Sequence, residues 1–311
     1  MEDEGSMMSF EEFTENVLKE IRVKAGGAFQ VRKHDVTKNN RMQQTGIAVI
    51  KEGADIGPCL YLNELYREYE SGGRKFDETV DEAYRLILKS MDDDMPDVDL
   101  SGFTKWETVH GNIYAKLINA EQNREQLGVI PHRMFLDLAV VYYAAVRDHA
   151  GEEVGTILIS REHMAQWGQK EETLYQTAMR NMRSDGEADF ACIETVVRRI
   201  LPDIVVSDEE EQKSPDINMY ILTNNRRRFG AAEILDKKTL RKIADQVGDG
   251  FVVLPSSVHE TIVLPPKEDV EYGKLADMVR MVNETEVDIE ERLSYHVYVY
   301  SRDEEALKIV A

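Results

Sequence analysis

Hydrophobic residues recur at helical spacing near the start of the chain. The apolar positions lie three and four residues apart: Phe10, Phe13, Val17 and Ile21. This spacing predicts an amphipathic helix. Ser9 and Glu12 match a capping box, in which the serine hydroxyl accepts an amide hydrogen and the glutamate reaches back to the cap. We expect the helix to end at the glycine pair Gly26-Gly27.

A small sheet and two helices are predicted next. Segments 29–36 and 45–51 alternate apolar with polar or β-branched residues around the turn-forming segment 38–40, which predicts a hairpin. A short strand is expected at 59–62, followed by a brief helix capped by Asn63. A longer helix is predicted from its apolar positions: Phe76, Val80, Tyr84 and Ile87.

Two acidic segments interrupt the pattern. Residues 92–99 (DDDMPDVD) combine like charges with a proline, and they predict a domain boundary between an N-terminal helix-hairpin-helix unit, 1–95, and a larger α+β domain, 100–311. Residues 208–216 (DEEEQKSPD) predict a mobile acidic loop near 207–216 in the larger domain.

Strands and helices are interspersed beyond the boundary. The predicted strands are 110–120, 135–146, 155–160, 218–223, 251–254, 261–264 and 295–300. The predicted helices are 121–127, 161–167, 171–182, 231–247 and 272–282. Several strands follow one another through turns rather than through helices. We therefore predict an α+β protein with a mixed or largely antiparallel sheet and packed helices, preceded by a smaller N-terminal α/β unit.

The charge of the chain makes some classes of binding partner unfavourable. The chain carries 59 Asp and Glu against 38 Lys and Arg, a formal net charge of −21. Such a surface repels phosphate backbones and anionic lipids, so we expect neither nucleic acid nor membrane as a partner. The acidic stretches are too short to favour mimicry of a nucleic acid. The segment Met1–Ser6 is polar and unlike a signal peptide, which indicates a cytoplasmic location.

Metal and cofactor motifs are not apparent in the sequence. Cys59 and Cys192 lie far apart, and the seven histidines are scattered singly. These positions form no CxxC pattern and no helical metal-ligand spacing. We expect no metal site, no disulfide framework and no cofactor.

The segment 255–261 (PSSVHET) contains the residue types of acyl-transfer chemistry. A hydrolase would use Ser256 or Ser257 as nucleophile, His259 as base and Glu260 as the group that orients the base. Ser257 and His259 can share one face of a strand, but Glu260 then points the other way. No GxSxG elbow is present to expose the serine. We favour a polar turn after a strand and keep catalysis as the alternative.

A run of arginines stands out in so acidic a chain. The segment 224–230 (NNRRRFG) lies between a predicted strand and a predicted helix. Amides and guanidinium groups near a helix start can hold a carboxylate or a phosphate. The candidate binding residues are Asn224, Arg226, Arg227, Arg228 and Gly230. The competing interpretation is a turn whose arginines neutralise neighbouring carboxylates.

Four segments together resemble a known family. They are 130–138 (IPHRMFLDL), 159–167, 219–224 together with 229–232, and 254–260 (LPSSVHE). The chain resembles an uncharacterised bacterial family, domain of unknown function 5688, over nearly its full length. The resemblance implies no activity, substrate or site residue. A weaker similarity to the YtpQ-type family, also of unassigned function, is consistent with an α+β fold.

The sequence therefore favours a cytoplasmic, non-catalytic binding or regulatory protein. Its expected partner is a small anionic ligand or an acidic protein segment, held at the arginine run. The alternative is a hydrolase that uses the serine and histidine of segment 256–260.

Overall fold

The computed structural model describes residues 7–51, 57–92, 101–200 and 219–311. The chain divides into two compact units, Met1–Asp97 and Val98–Ala311. Three predicted features lie outside the described residues: the polar start Met1–Ser6, the boundary segment beyond Asp92, and the acidic loop at 207–216.

The smaller unit opens with the predicted amphipathic helix, α1 (Phe10–Ala25). Its capping box is confirmed, since Ser9 Oγ accepts from the Glu12 amide at 3.3 Å and the Glu12 carboxylate accepts from the Ser9 amide at 2.9 Å. Gly26 ends the helix with φ +56°. The apolar stripe is buried in the core of this unit, so burial stabilises the helix that the spacing predicted.

An antiparallel sheet of three strands completes the smaller unit with two helices. The strands are β1 (Gln30–Thr37), β2 (Gln43–Ile50) and β3 (Cys59–Tyr61), in the order β1-β2-β3. The helices are α2 (Asn63–Glu70) and α3 (Phe76–Asp92). The prediction that Asn63 caps α2 is wrong. Asn63 is the first helical residue, and its side chain instead accepts from the Thr45 amide at 3.1 Å.

The larger unit begins with a four-stranded antiparallel sheet. Its strands are β4 (Ile113–Asn119), β5 (His132–Phe135), β6 (Leu138–Arg147) and β7 (Glu153–Leu158), and the other three all pair with the long strand β6. The helices along this part are α4 (Trp106–Val109), α5 (Arg124–Leu127), α6 (Arg161–Trp167) and α7 (Glu171–Ser184). Strand β5 was not predicted. A tight turn with Leu136 at φ +57° separates it from β6, where the apolar pattern suggested one uninterrupted strand.

A six-stranded antiparallel sheet forms the rest of the larger unit. Its strands are β8 (Asp189–Cys192), β9 (Tyr220–Thr223), β10 (Val252–Leu254), β11 (Thr261–Leu264), β12 (Tyr298–Ser301) and β13 (Ala306–Ile309). Their order is β13-β12-β10-β11-β9-β8. The helices are α8 (Ile193–Ile200), α9 (Lys237–Val247) and α10 (Tyr272–Glu286). The α+β class and the largely antiparallel pairing are confirmed, whereas β8, α8 and β13 were not predicted.

The predicted helix 231–247 is two elements. A 3₁₀ helix spans Gly230–Leu235, and α9 begins after Asp236, whose carboxylate accepts from the Lys238 amide at 3.1 Å. Further 3₁₀ helices span Asn39–Arg41, Ser101–Thr104, His110–Asn112 and Ile289–Glu291. Among the described residues, no helix is both long enough and apolar enough to cross a membrane.

Candidate functional site

The arginine loop, residues 224–230, follows β9, and its first residue forms hydrogen bonds across the loop. The Asn224 side chain accepts from the Arg228 amide at 3.2 Å and donates to the Arg228 carbonyl at 2.9 Å. Arg227 and Phe229 have left-handed backbones, with φ +50° and +56°. The loop is therefore a specific tight turn.

Two of the three arginines are paired with carboxylates. Arg226 Nη1 lies 3.0 Å from one oxygen of Glu153, and Arg228 Nη1 lies 3.2 Å from the other. Arg226 Nη2 also lies 3.3 Å from Asp185, and its guanidinium stacks over the ring of Tyr114 at 3.8 Å. The Glu153 side chain is only 11% exposed. The pairing is the one expected if the arginines neutralise neighbouring carboxylates.

The loop amides also have partners within the chain. The Phe229 amide donates to His259 Nδ1 at 3.3 Å, and the Ala231 amide donates to the Val258 carbonyl at 3.3 Å. Gly230 is required by close packing, because a Cβ there would lie 2.2 Å from Thr223 Oγ1. An anion site at this loop stays a prediction. The exposed Arg227 is the arginine that has no ion pair to another described residue.

The structure brings the segment 255–261 against the arginine loop. The ring of His259 stacks on Phe229, with centroids 5.5 Å apart and planes 13° apart. Its Nδ1 accepts from the Phe229 amide, and its Nε2 lies 3.3 Å from a carboxylate oxygen of Glu291. From the sequence, these two segments were predicted as separate candidate sites, whereas in the fold they are in contact.

The serines do not engage the histidine ring. Ser257 is 5% exposed, and its hydroxyl accepts from the backbone amide of His259 at 3.0 Å. The Ser256 backbone bonds to Leu254 and Leu293. Burial raises the pKa of the Glu260 carboxyl. Within the described ranges, no hydrogen bond joins either serine hydroxyl to the His259 ring, so the hydrolase alternative gains no support from this geometry.

A cleft of about 540 Å³ lies between α7, β8 and α9, and sequence reasoning missed it. Its apolar wall consists of Met179, Met182, Phe190 and Ile243. A smaller recess lined by Asn224, Arg226 and Asp185 adjoins it, and the two share Met182 and Glu233. The arginine loop therefore reaches one end of the cleft.

Glu233 is the unusual residue of this cleft. It is 8% exposed, and its carboxyl group has no hydrogen bond or ion pair with any residue in the described part of the chain. Burial, with a smaller contribution from the nearby Asp236, raises the pKa of Glu233 to about 7, and the charge of Arg226 opposes this shift. One signal in the sequence was available: an acidic residue within the apolar run Ala231–Leu235.

The cations around the cleft are mostly paired. Arg183 lies 3.0 Å from Asp236, and Lys242 pairs with Glu187. Lys238, which is exposed, has no ion pair to another described residue. The arrangement can hold a small molecule that has both an apolar part and a charged group.

Two further titratable residues of the larger unit, Asp137 and Lys116, were not predicted from the sequence to be notable. Asp137 accepts from the hydroxyls of Ser294, at 2.7 Å, and Tyr298, and lies 3.1 Å from His296 Nδ1, so it ties the β5–β6 turn to residues around β12. Lys116 lies 4.6 Å from the centre of the Phe229 ring, and burial lowers its pKa to about 8. Neither group lines the cleft.

Across the described ranges, no group of three or more His, Cys, Asp or Glu side chains could hold a metal ion. No curated protein and no solved structure matches the chain significantly. A family model described as "Family of unknown function (DUF5688)" matches residues 10–302. That match covers most of the chain, and the protein therefore belongs to the DUF5688 family.

Proposed function

We propose that the chain is a non-catalytic binding or regulatory protein whose larger unit holds a small charged ligand. The observation that supports this most strongly is the cleft with the buried, unpartnered carboxyl group of Glu233 in its wall. The cavity volume of about 540 Å³ is typical of small-molecule sites. A titratable group with a shifted pKa in a cleft is a candidate functional residue.

An anionic ligand or an acidic protein segment stays part of this proposal. Asn224 and Arg226 line the recess at one end of the cleft. Arg227 on the loop and Lys238 on α9 are exposed and have no ion pair to other described residues, so their charges are available to an anion. The paired Arg226 and Arg228 then serve as support for the loop rather than as direct ligands.

We also propose that the protein acts in the cytoplasm of a bacterium. Its acidic composition, with a net charge of −21, and its two free cysteines support this location.

The proposal is tested by NMR titration of the full-length protein with four probes: inorganic phosphate, succinate, n-butylamine and putrescine. We expect saturable shifts of amide signals around Ala188 and Ile243, in the cleft wall, with at least one probe. Thr239→Trp, which places a large ring in the cleft, should abolish them.

Thr285→Trp on α10 is the matched control, because Thr285 is exposed on a helix outside the cleft. It should bind like the wild type. The proposal fails if no probe gives saturable shifts or if Thr239→Trp binds as well as the control.

A further inference from the structure

Glu233 lies where a carboxylate is difficult to accommodate. It is 8% exposed on the 3₁₀ helix Gly230–Leu235, and it lines both the cleft and the adjoining recess. No described residue donates a hydrogen bond to its carboxyl group. A buried carboxylate without a partner is unfavourable, so the group either takes up a proton or binds something that supplies a positive charge.

The other charges around Glu233 leave this need unmet. The charged groups that line the cleft and its recess are Asp185, Glu187, Asp236, Arg183, Arg226, Lys238 and Lys242. Arg183 pairs with Asp236, Arg226 with Asp185 and Glu153, and Lys242 with Glu187. Lys238 is exposed at the rim. Arg183, Arg226 and Lys242 are therefore paired with other carboxylates, and no described cation forms an ion pair with Glu233, although the charge of Arg226 lowers its pKa. The carboxylate can still accept a hydrogen bond from a ligand.

The shape and the apolar wall indicate an organic group rather than a metal ion. The described acidic side chains do not converge into a three-ligand metal site. Met179, Met182, Phe190 and Ile243 offer a surface for methylene groups, and methionine side chains adapt to different shapes. A net charge of −21 raises the local concentration of cations around the protein.

We propose that the cleft binds a small organic cation, with a primary ammonium group donating to the Glu233 carboxylate and its alkyl chain lying on the methionine and phenylalanine wall. This inference rests on the proposed function, because it names the ligand class of the same cleft. Since Glu233 has a pKa of about 7, binding of the cation is coupled to loss of a proton below that pH.

The test is calorimetric titration of the full-length protein with n-butylamine, putrescine and the uncharged n-butanol. Between pH 6 and pH 8 the ionised fraction of a carboxyl group with a pKa near 7 rises about tenfold. We expect n-butylamine to bind about tenfold more tightly at pH 8 than at pH 6, and n-butanol to bind much more weakly at both. Titrations at pH 6 in buffers of different ionisation enthalpy should show release of close to one proton per amine.

Glu233→Gln removes the charge but keeps the size of the side chain. It should lose amine binding and the pH dependence while its thermal unfolding stays cooperative. Glu284→Gln removes the same charge from an exposed position on α10 and should bind like the wild type. The inference is overturned if Glu233→Gln binds the amines equally well, or if wild-type affinity is the same at both pH values.

The failure of this inference can be told apart from the failure of the proposed function. If phosphate or succinate produces saturable shifts in the cleft and neither amine binds, the ligand class is wrong and the binding function stands. If none of the probes binds, both are rejected.

Discussion

The arginine loop and Glu233 lie close in sequence, yet the charges of two loop arginines are paired with carboxylates and the charge of Glu233 is not paired. Arg226 and Arg228 share the two oxygens of Glu153, and Arg226 also pairs with Asp185. Glu233 is less exposed than these arginines, at 8%, but it has no ionic partner among the described residues. Removal of one member of such a pair is costly because it leaves a shielded charge without a partner, whereas a carboxyl group that is already unpaired costs stability and is a better candidate for binding. The conspicuous arginines are therefore less informative about function than the inconspicuous glutamate.

The largest effect is expected from removing Arg226. Arg226→Ala leaves Glu153, whose side chain is 11% exposed, with Arg228 as its remaining ionic partner, and it also leaves Asp185 without Arg226 and removes the cation over Tyr114. Loss of one member of a largely buried pair should lower the free energy of unfolding by about 3 kcal/mol. Chemical denaturation measures this change.

Arg227→Ala is the internal comparison for that experiment. Arg227 is exposed, so its removal should change the free energy of unfolding by less than about 0.5 kcal/mol. Equal effects of the two substitutions would show that the ion pairs of Arg226 do not stabilise the loop.

Glu233→Gln should raise the free energy of unfolding, whereas Arg226→Ala lowers it, and the size of this increase should depend on pH. Below pH 4.5 the carboxyl group is protonated in both the folded and the unfolded state, so the substitution should be nearly neutral. As the pH rises from 4.5 through 7, the unfolded state releases the proton first, and the wild type loses stability relative to the variant. At pH 8 we expect the variant to be more stable by roughly 1–3 kcal/mol.

Thermal and urea unfolding across this pH range measure the difference between variant and wild type. A constant difference at all pH values would mean that Glu233 titrates normally. Its carboxylate would then be stabilised by water or by a partner, and the contrast with the arginine loop would disappear.

A smaller effect than that of Arg226→Ala is expected at Ser257. Ser257→Ala removes the hydroxyl that accepts from the His259 amide, and loss of one such hydrogen bond should lower the free energy of unfolding by about 1 kcal/mol. The wild-type protein should not react with a fluorophosphonate probe, because the His259 ring bonds to Phe229 and Glu291 rather than to a serine. Stoichiometric labelling of Ser256 or Ser257 that His259→Ala abolishes would instead support the hydrolase alternative.

The features that could be predicted from the sequence depend on interactions between residues that are close in the chain. The capping box at Ser9, the buried stripe of α1 and the hairpin of β1 and β2 depend on residues that are neighbours in the chain. The errors also have local causes. The apolar run around Phe135 concealed the turn at Leu136, and the helix-like run 231–247 concealed the break at Asp236, where a side-chain cap starts a new helix.

The sequence by itself determined the α+β class, most helices and strands, and the family. It also identified the arginine loop and the segment around His259 as unusual. Only the tertiary structure decided what they contact, because Glu153 and Asp185 come to Arg226 from distant parts of the chain, and His259 comes to Phe229 from a separate segment. The same holds for Glu233, since a carboxyl group becomes a candidate binding group only when the surrounding fold shields most of it from water and supplies no ionic partner.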